Sequence, residues 1–134
     1  MAYIGRPQAF TLVAEADDVK SDSAVAAKPG ESPGIAGFLV AERGRSSGHI
    51  ITIDVRSEAR RHGIGSRLLR GAEEQLRRTS CSRIRLETAV DNRNALFFYK
   101  RHGYSVVRTV PRYYSNGVDA LLLEKHLLSA VASR

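Results

Sequence analysis

The sequence predicts an α/β fold with a mixed, mostly antiparallel sheet, a central pair of parallel strands and flanking helices. Short β-branched runs between turn-forming residues indicate strands, and two stretches with helical periodicity interrupt them. The resulting order of elements is βββαβαββ. The chain of 134 residues is long enough to bury a core without disulfides or a metal. We predict one domain, residues 1–134, with no metal site.

The first three strands form the antiparallel part of this sheet. Residues 9–14 and 37–41 are apolar runs, and a third strand begins after the glycine-containing turn at 43–48. Two strands joined by such a turn are typical of a hairpin. Residues 17–34 are rich in Asp, Ser, Lys, Pro and Gly. We predict a long mobile loop there, because the segment cannot bury enough surface to offset the entropy of ordering it.

The chain is organised around the stretch 49–69, in which a β-branched strand at 50–55 leads through a short basic loop into an amphipathic helix. The helix is predicted from apolar residues that recur every four positions. Charged residues occupy its other faces and are expected to meet water. The apolar stripe consists of Ile64, Leu68, Ala72 and Leu76.

The loop before this helix has the features of a phosphate site. Gly63 and Gly65 lack Cβ atoms, so a ligand can approach the backbone closely. The free N–H groups of the first helical turn face the same gap, and Arg60 and Arg61 add positive charge. We predict that the loop binds a pyrophosphate; the alternative is a tight turn before a surface helix. The dinucleotide fingerprint is excluded, because its third glycine and later acidic residue are absent.

The second half of the chain predicts a crossover unit followed by two more strands. Residues 83–90 alternate between apolar and polar side chains, as in a half-buried strand. A strand, a helix and a strand within about forty residues favour a parallel pair. Asp91 or Asn92 can cap the next helix, and Gly103 suits its end. The final strands are expected at 105–110 and 118–124.

Composition limits the partners and the compartment. The net charge of +7 favours an anionic partner, such as a phosphorylated cofactor, an acidic substrate or nucleic acid. Nucleic acid is disfavoured, because no basic stretch interleaved with aromatics and no reading helix is present. The single cysteine, Cys81, lies in a polar turn and favours a reducing cytoplasm. No run is long enough for a membrane span, so no membrane association is expected.

Several motifs resemble those of the GNAT acetyltransferases. The stretch 54–69, with Arg60-x-x-Gly63-x-Gly65, is similar to the acetyl-CoA motif of that family, and 86–104 is similar to its second half. Gly48-His49-Ile50 and the run 113–120 resemble the protein N-terminal acetyltransferases of the RimI-like and NatA-like kind. The resemblance covers about residues 35–127. It implies acetyl transfer from acetyl-CoA to an amine.

The sequence also departs from that family. Members usually begin with a strand and two helices whose connecting loop forms one wall of the amine site, and only residues 1–8 precede the first strand here. Val118 stands where relatives often have an acidic residue before Asp119. Without that wall an edge and an apolar side of the cleft are exposed. We therefore expect either a homodimer that covers this side or a wide, poorly selective amine site.

The resemblance implies that the two parallel strands splay apart and that pantetheine lies between them. Backbone groups of Ile53, Asp54 and Val55 would bond its amides, with the Asp54 carboxylate facing away because it would repel phosphates. Asn92 can cap its helix and also touch the cofactor. The pyrophosphate would receive N–H groups from Arg61, His62, Gly63, Ile64, Gly65 and Ser66.

The resemblance assigns Glu87 as the base and Tyr99 as the acid. A carboxylate in a partly dry cleft can have its pKa raised and accept a proton through a water. The alternative for Glu87 is a surface ion pair with Arg83 or Arg85. The alternative for Tyr99 is packing on a helix face beside Phe98.

Three further side chains are candidates for the amine site. His49 is a second possible base, although a histidine at a strand end is more often a surface residue. Tyr113 and Tyr114 either line the amine site or pack a strand end.

The acidity of the acceptor favours a peptide N-terminus. An α-amino group with a pKa of about 8 is neutral roughly a tenth of the time at neutral pH, whereas lysine is neutral about once in thousands. The main hypothesis is therefore a peptide or protein N-terminal acetyltransferase. The alternatives are a small-amine acetyltransferase and a non-catalytic module that binds CoA or nucleic acid.

Overall fold

The structure is a computed structural model that describes residues 8–15, 34–57, 60 and 63–127. The predicted order of strands and helices is confirmed over these residues. The predicted mobile loop at 17–34 lies outside them, apart from Gly34. The elements are β1 Gln8–Glu15, β2 Ile35–Arg43, β3 Ser47–Val55, α1 Ile64–Arg78, β4 Arg83–Ala89, α2 Arg93–Arg101, β5 Ser105–Val110 and β6 Ala120–His126.

The strands form one sheet with the order β1-β2-β3-β4-β6-β5. Strands β1, β2 and β3 pair antiparallel in sequence order, and β6 pairs antiparallel with both β4 and β5. Strand β4 returns beside β3 in parallel, after the crossover through α1. The mixed, mostly antiparallel sheet with a central parallel pair is therefore confirmed.

The parallel strands pair only at their start and then part. Ser47–His49 pairs with Arg83–Arg85, and the remainder of β3 has no partner on the β4 side. Just beyond the last pair, β3 bulges against β2. Val40 pairs with Thr52 and Ala41 with Ile50, which leaves Ile51 without a partner. Because a bulge bends its strand and increases the local twist, it turns β3 away from β4 and opens the predicted splay.

Helix α1 covers one face of the first three strands. A Cβ atom at Gly37 would lie 3.3 Å from Ile64, and one at Gly48 would lie 2.5 Å from Leu76. Glycine therefore lets the helix approach the sheet closely. The predicted apolar stripe is buried here, and burial of each large aliphatic side chain stabilises the fold by about 1.5–3 kcal/mol. Fully buried members of the core include Leu39, Ile64, Leu69, Leu76, Ile84, Leu86 and Leu123.

Helix α2 is short and lies against the start of α1. Its N-cap is Asn92, whose side chain accepts a hydrogen bond from the Ala95 N–H at 3.1 Å. Gly103 follows the helix with a φ of +94°, a conformation that favours glycine. Both predicted signals are therefore confirmed, with Asn92 rather than Asp91 as the cap. Neither helix of the described residues has the length and hydropathy of a membrane span.

One charged side chain of α1 is buried between the helix and the sheet. Glu73 is 5% exposed, accepts a hydrogen bond from the Tyr104 hydroxyl at 2.8 Å and pairs with Lys125 Nζ at 3.1 Å. Burial and the nearby Glu73 carboxylate raise the pKa of Tyr104. The arrangement ties α1 to the start of β5 and to β6.

Candidate active site

A cavity of about 820 Å³ opens where β3 and β4 part. Its walls come from both strands, from the loop before α1 and from the first turns of both helices. The predicted site residues that line it are Ile53, Asp54, Val55, Gly63, Ile64, Gly65, Ser66, Glu87, Asn92, Tyr99 and Tyr114. Arg61 and His62 lie outside the described residues.

One end of the cavity is formed by the N-terminus of α1. Gly63 is the N-cap residue with a φ of +77°, and no side chain caps the first turn. A Cβ atom at Gly63 would meet nothing within 4 Å, whereas one at Gly65 would lie 3.4 Å from the Phe98 ring. The first turn contains no acidic residue. Among the described residues, nothing therefore covers the free N–H groups and the positive end of the helix dipole, and this end suits a pyrophosphate.

Two side chains extend this end of the cavity. Arg60 Nε donates to the Val55 carbonyl at 3.1 Å, which holds its cationic side chain beside the end of β3. Ser66 Oγ lies 2.9 Å from His102 Nε2, and His102 Nδ1 lies 2.8 Å from the Phe98 carbonyl oxygen. Because a carbonyl only accepts, Nδ1 carries the proton. In the neutral form of His102, Nε2 accepts from the Ser66 hydroxyl, and this contact ties the end of α2 to the start of α1.

The side chains of β3 alternate along the cavity. Ile53 and Val55 pack against the core below α1. Asp54 is exposed and pairs in register with Phe38 of β2, which places both on the opposite face of the sheet. As predicted, the Asp54 carboxylate points away from the phosphate end, yet it still lines the cavity. Ile64 is 1% exposed, so only its backbone can serve a ligand.

Glu87 and His49 form a close pair across the two parallel strands. His49 Nε2 donates to Glu87 Oε1 at 2.7 Å, and their side chains are 21% and 15% exposed. The alternative of an ion pair with Arg83 or Arg85 is wrong. Arg83 lies 3.7 Å from Glu124, and Arg85 donates to the Ser47 hydroxyl. The parallel register puts His49 opposite Arg85, and the next residue of that face on β4 is Glu87.

Tyr99 lines the same cavity as Glu87 and is 7% exposed. Its ring packs edge-on against Phe98 and Tyr104, at 5.3 and 5.8 Å between ring centroids. Burial and then Tyr114 raise the pKa of Tyr99 to about 12. The side chain therefore belongs both to the core and to the cavity, and its hydroxyl stays protonated at neutral pH.

Tyr113 and Tyr114 stand at the rim. Their rings meet edge-on with centroids 4.9 Å apart. Burial raises the pKa of each hydroxyl, and the Glu87 carboxylate raises both further. Tyr114 lines the cavity, whereas Tyr113 is 47% exposed and lies outside its lining, although its hydroxyl is close enough to Glu87 to feel the carboxylate. That both tyrosines line the amine site stays a prediction.

The loop that carries these tyrosines is held by its own polar side chains. The Arg112 N–H donates to Asp119 Oδ1 at 2.9 Å, and the Val118 N–H donates to Asn116 Oδ1 at 3.0 Å. Gly117 follows with a φ of +86°. An Asn-Gly turn closed by an aspartate therefore presents the aromatic pair to the cavity.

Sequence reasoning missed the contact between Ser66 and His102 and the pairing of His49 with Glu87. Residues in each pair are more than thirty positions apart, and no local pattern relates them. His49 itself was predicted as a second possible base, but not its contact with Glu87. Among the described residues, no three His, Cys, Asp or Glu side chains are grouped to hold a metal ion.

Comparison with known proteins agrees with this geometry. The profile of the acetyltransferase (GNAT) family matches residues 3–104. An uncharacterized N-acetyltransferase of Methanocaldococcus jannaschii is 37% identical over 92 residues, which are 68% of this chain and 59% of that protein. Human N-alpha-acetyltransferase 30 is 39% identical over 77 residues, 58% of this chain and 21% of that protein. The chain thus spans less than two thirds of either relative.

A solved structure shares the fold. The crystal structure of the NatC complex bound to Gag peptide and CoA superposes with a TM-score of 0.69 at 30% identity, and covers 81% of this chain and 68% of that one. The open N-terminus of α1, its two glycines and the gap between β3 and β4 fit the phosphates and the extended arm of such a cofactor. This chain therefore belongs to the GNAT family of acetyltransferases.

Proposed function

We propose that the chain acetylates the α-amino group of a peptide or protein N-terminus. The hydrogen-bonded pair of His49 and Glu87 carries this proposal. Glu87 lines the cavity together with Tyr99 and Tyr114, and His49, which does not line it, contacts Glu87 from the neighbouring strand. The names of relatives that are N-alpha-acetyltransferases support the choice of acceptor.

The base is the pair rather than Glu87 alone. Because a carboxylate only accepts, the proton on neutral His49 resides on Nε2, and Nδ1 keeps a free lone pair. A proton taken at Nδ1 produces an imidazolium that the adjacent carboxylate stabilises. A primary amine arrives mostly protonated, so a group that removes its proton near neutral pH raises the reactive fraction.

The hydroxyl of Tyr99 is assigned to the sulfur atom of the thioester rather than to the acceptor amine. When bound, acetyl-CoA supplies an acetyl group activated as a thioester. With its pKa raised to about 12, Tyr99 is a weaker acid than a thiol of pKa about 8.5. Complete proton transfer from Tyr99 to a thiolate is therefore unfavourable. The hydroxyl acts by donating a hydrogen bond to the negative charge that develops there.

The acceptor end of the site favours α-amines. The two rim tyrosines flank Glu87 and offer aromatic surface to the first residue of a peptide. An α-amino group of pKa about 8 is neutral roughly a tenth of the time at neutral pH, whereas almost all lysine side chains stay protonated. An N-terminus is thus the acceptor that this base can activate without further help.

The test uses peptides with one reactive amine each. A peptide with a free N-terminus and no lysine is compared with an N-terminally blocked peptide that contains lysine. Thiol release and mass spectrometry report the rate and the site of acetylation. We expect acetylation of the free N-terminus; faster modification of the blocked lysine peptide would contradict the proposal.

The same assay tests the base. Glu87→Gln should lower kcat by about a hundredfold or more and shift the acidic limb of the pH–rate profile to lower pH, because the imidazolium loses its stabilising carboxylate, with the affinity for acetyl-CoA unchanged. Glu124→Gln is the matched control, because Glu124 pairs with Arg83 outside the cavity. If Glu87→Gln keeps the rate of the control, Glu87 is not part of the base.

A further inference from the structure

Asp54 is a charged residue of the cavity that neither the phosphate end nor the base uses. It pairs in register with Phe38, so its side chain is on the sheet face opposite α1, together with His49, whose register partner is Glu42. The residue is exposed, and within the described ranges its carboxylate makes no hydrogen bond or ion pair.

The charges around the cavity are unevenly distributed. Of its described lining residues, Asp54 and Glu87 are acidic, and Arg60 and Arg101 are basic. Glu87 accepts a hydrogen bond from His49. Asp54 is therefore the acidic lining residue whose negative charge has no cationic partner among the described residues. A free carboxylate repels the phosphates of the donor, so its charge favours the other substrate.

The strand geometry sets the distance from the base. His49 pairs with Arg85, and Glu87 lies two residues further along β4. Continuing this register beyond the last observed pair, with the bulge at Ile51 allowed for, would bring Glu87 level with Thr52. Asp54 is two residues beyond Thr52, which is about 7 Å along the strand at about 3.3 Å per residue. The strands have parted, so the lateral separation exceeds the usual spacing of about 4.8 Å.

We propose that Asp54 selects acceptors that carry a second positive charge near the reacting amine, in particular peptides with lysine or arginine at the second or third position. This rests on the proposed function, because it assumes that the acceptor amine lies at the base. A basic side chain one or two residues from an N-terminus at Glu87 reaches Asp54. A short diamine spans the separation poorly.

The expected preference is modest. Asp54 is exposed, and exposed ion pairs contribute about 0.2–1 kcal/mol, which corresponds to at most about a fivefold change. The preference should shrink as salt is added, because charges that face solvent are screened. A peptide with a negatively charged residue at the second or third position should be disfavoured by a similar factor relative to a neutral peptide.

The experiment compares three peptides that differ only at the second and third positions, with lysine, glutamine or glutamate there. Their kcat/KM values are measured with the wild-type chain, with Asp54→Asn and with Glu42→Gln. Glu42 is the matched control, because it removes the same charge from the same sheet face outside the cavity. Calorimetric titration of each peptide into the CoA-saturated protein gives binding without turnover.

We expect lysine to exceed glutamine by about three- to fivefold in the wild type and in Glu42→Gln, and the ratio to fall to about one in Asp54→Asn. Equal values for lysine, glutamine and glutamate peptides in the wild type would overturn the inference while peptide acetylation stands. An unchanged ratio in Asp54→Asn would also overturn it. No acetylation of any peptide, together with rapid acetylation of spermidine that depends on Asp54, would instead overturn the proposed function and leave the charge selection intact.

Discussion

The hydroxyl of Tyr99 is held in a buried part of the cavity wall, and burial with the neighbouring Tyr114 raises its pKa to about 12. Tyr99→Phe removes the hydroxyl but keeps the ring contacts with Phe98 and Tyr104. We expect kcat to fall by about tenfold or more, because the donor to the developing negative charge is lost. Calorimetry should show the same affinity for acetyl-CoA as in the wild type.

The pH dependence of Tyr99 provides a second check. Since the raised pKa keeps the hydroxyl protonated up to about pH 10, Tyr99 does not produce an alkaline limb below that pH. The pH–rate profile of Tyr99→Phe should therefore keep the wild-type shape at a lower level. A variant with unchanged kcat, or one that loses an alkaline limb near pH 9, would show that the role given to Tyr99 is wrong.

The N-terminus of α1 is formed by Gly63, which has a φ of +77° and no described residue within 4 Å of an added Cβ atom. Gly63→Asp puts a carboxylate where the first turn offers its N–H groups. Aspartate is a good N-cap residue, so the stability of the helix should be preserved. Its carboxylate, however, would accept hydrogen bonds from the N–H groups that otherwise bind the phosphates. We expect acetyl-CoA affinity to fall by more than about tenfold while thermal unfolding shows a folded protein.

Gly63→Ala is the matched control for this change. It introduces the same left-handed strain, about 1–2 kcal/mol, without the charge. Because a Cβ atom there meets no neighbour within 4 Å, alanine should bind acetyl-CoA much more tightly than aspartate. Equal affinities for the two variants would refute a phosphate site at this helix start.

The helices and strands could be predicted where the residues that indicate them lie close together in the sequence. The cap at Asn92, the glycine after α2 and the stripe of α1 follow from residues a few positions apart, and all three are confirmed. The partner of Glu87 was not predictable, because it depends on the register between β3 and β4. The exposure of the Tyr113 side chain depends on the conformation of the loop around Gly117, and the sequence alone does not specify that conformation.

At the scale of the whole molecule, the buried Glu73 joins α1 to the far strands. Tyr104→Phe leaves one oxygen of this carboxylate without its hydrogen bond, although Lys125 still contacts the other. We expect the free energy of unfolding to fall by about 1–3 kcal/mol, measured by chemical denaturation. Tyr113→Phe, at an exposed tyrosine, should change it by less than about 0.5 kcal/mol. Equal losses in both variants would contradict a stabilising role for Glu73.

The buried tyrosines also set the sign of the alkaline response. The pKa values of Tyr99 and Tyr104 are raised in the folded chain, so their contribution to stability is complete below the unfolded value of about 10. Above that pH the unfolded chain loses protons that the folded chain keeps, and stability falls as the pH rises. Tyr104→Phe should weaken this decline.

Strands β3 and β4 touch over three residue pairs and then part, which leaves a seam down the middle of the sheet. Under the proposed function acetyl-CoA fills this seam, and it binds the folded chain and not the unfolded one. Such a ligand stabilises the fold by about 2.7 kcal/mol at a hundredfold excess over its Kd. The fraction of chains open to proteases should therefore follow the supply of acetyl-CoA.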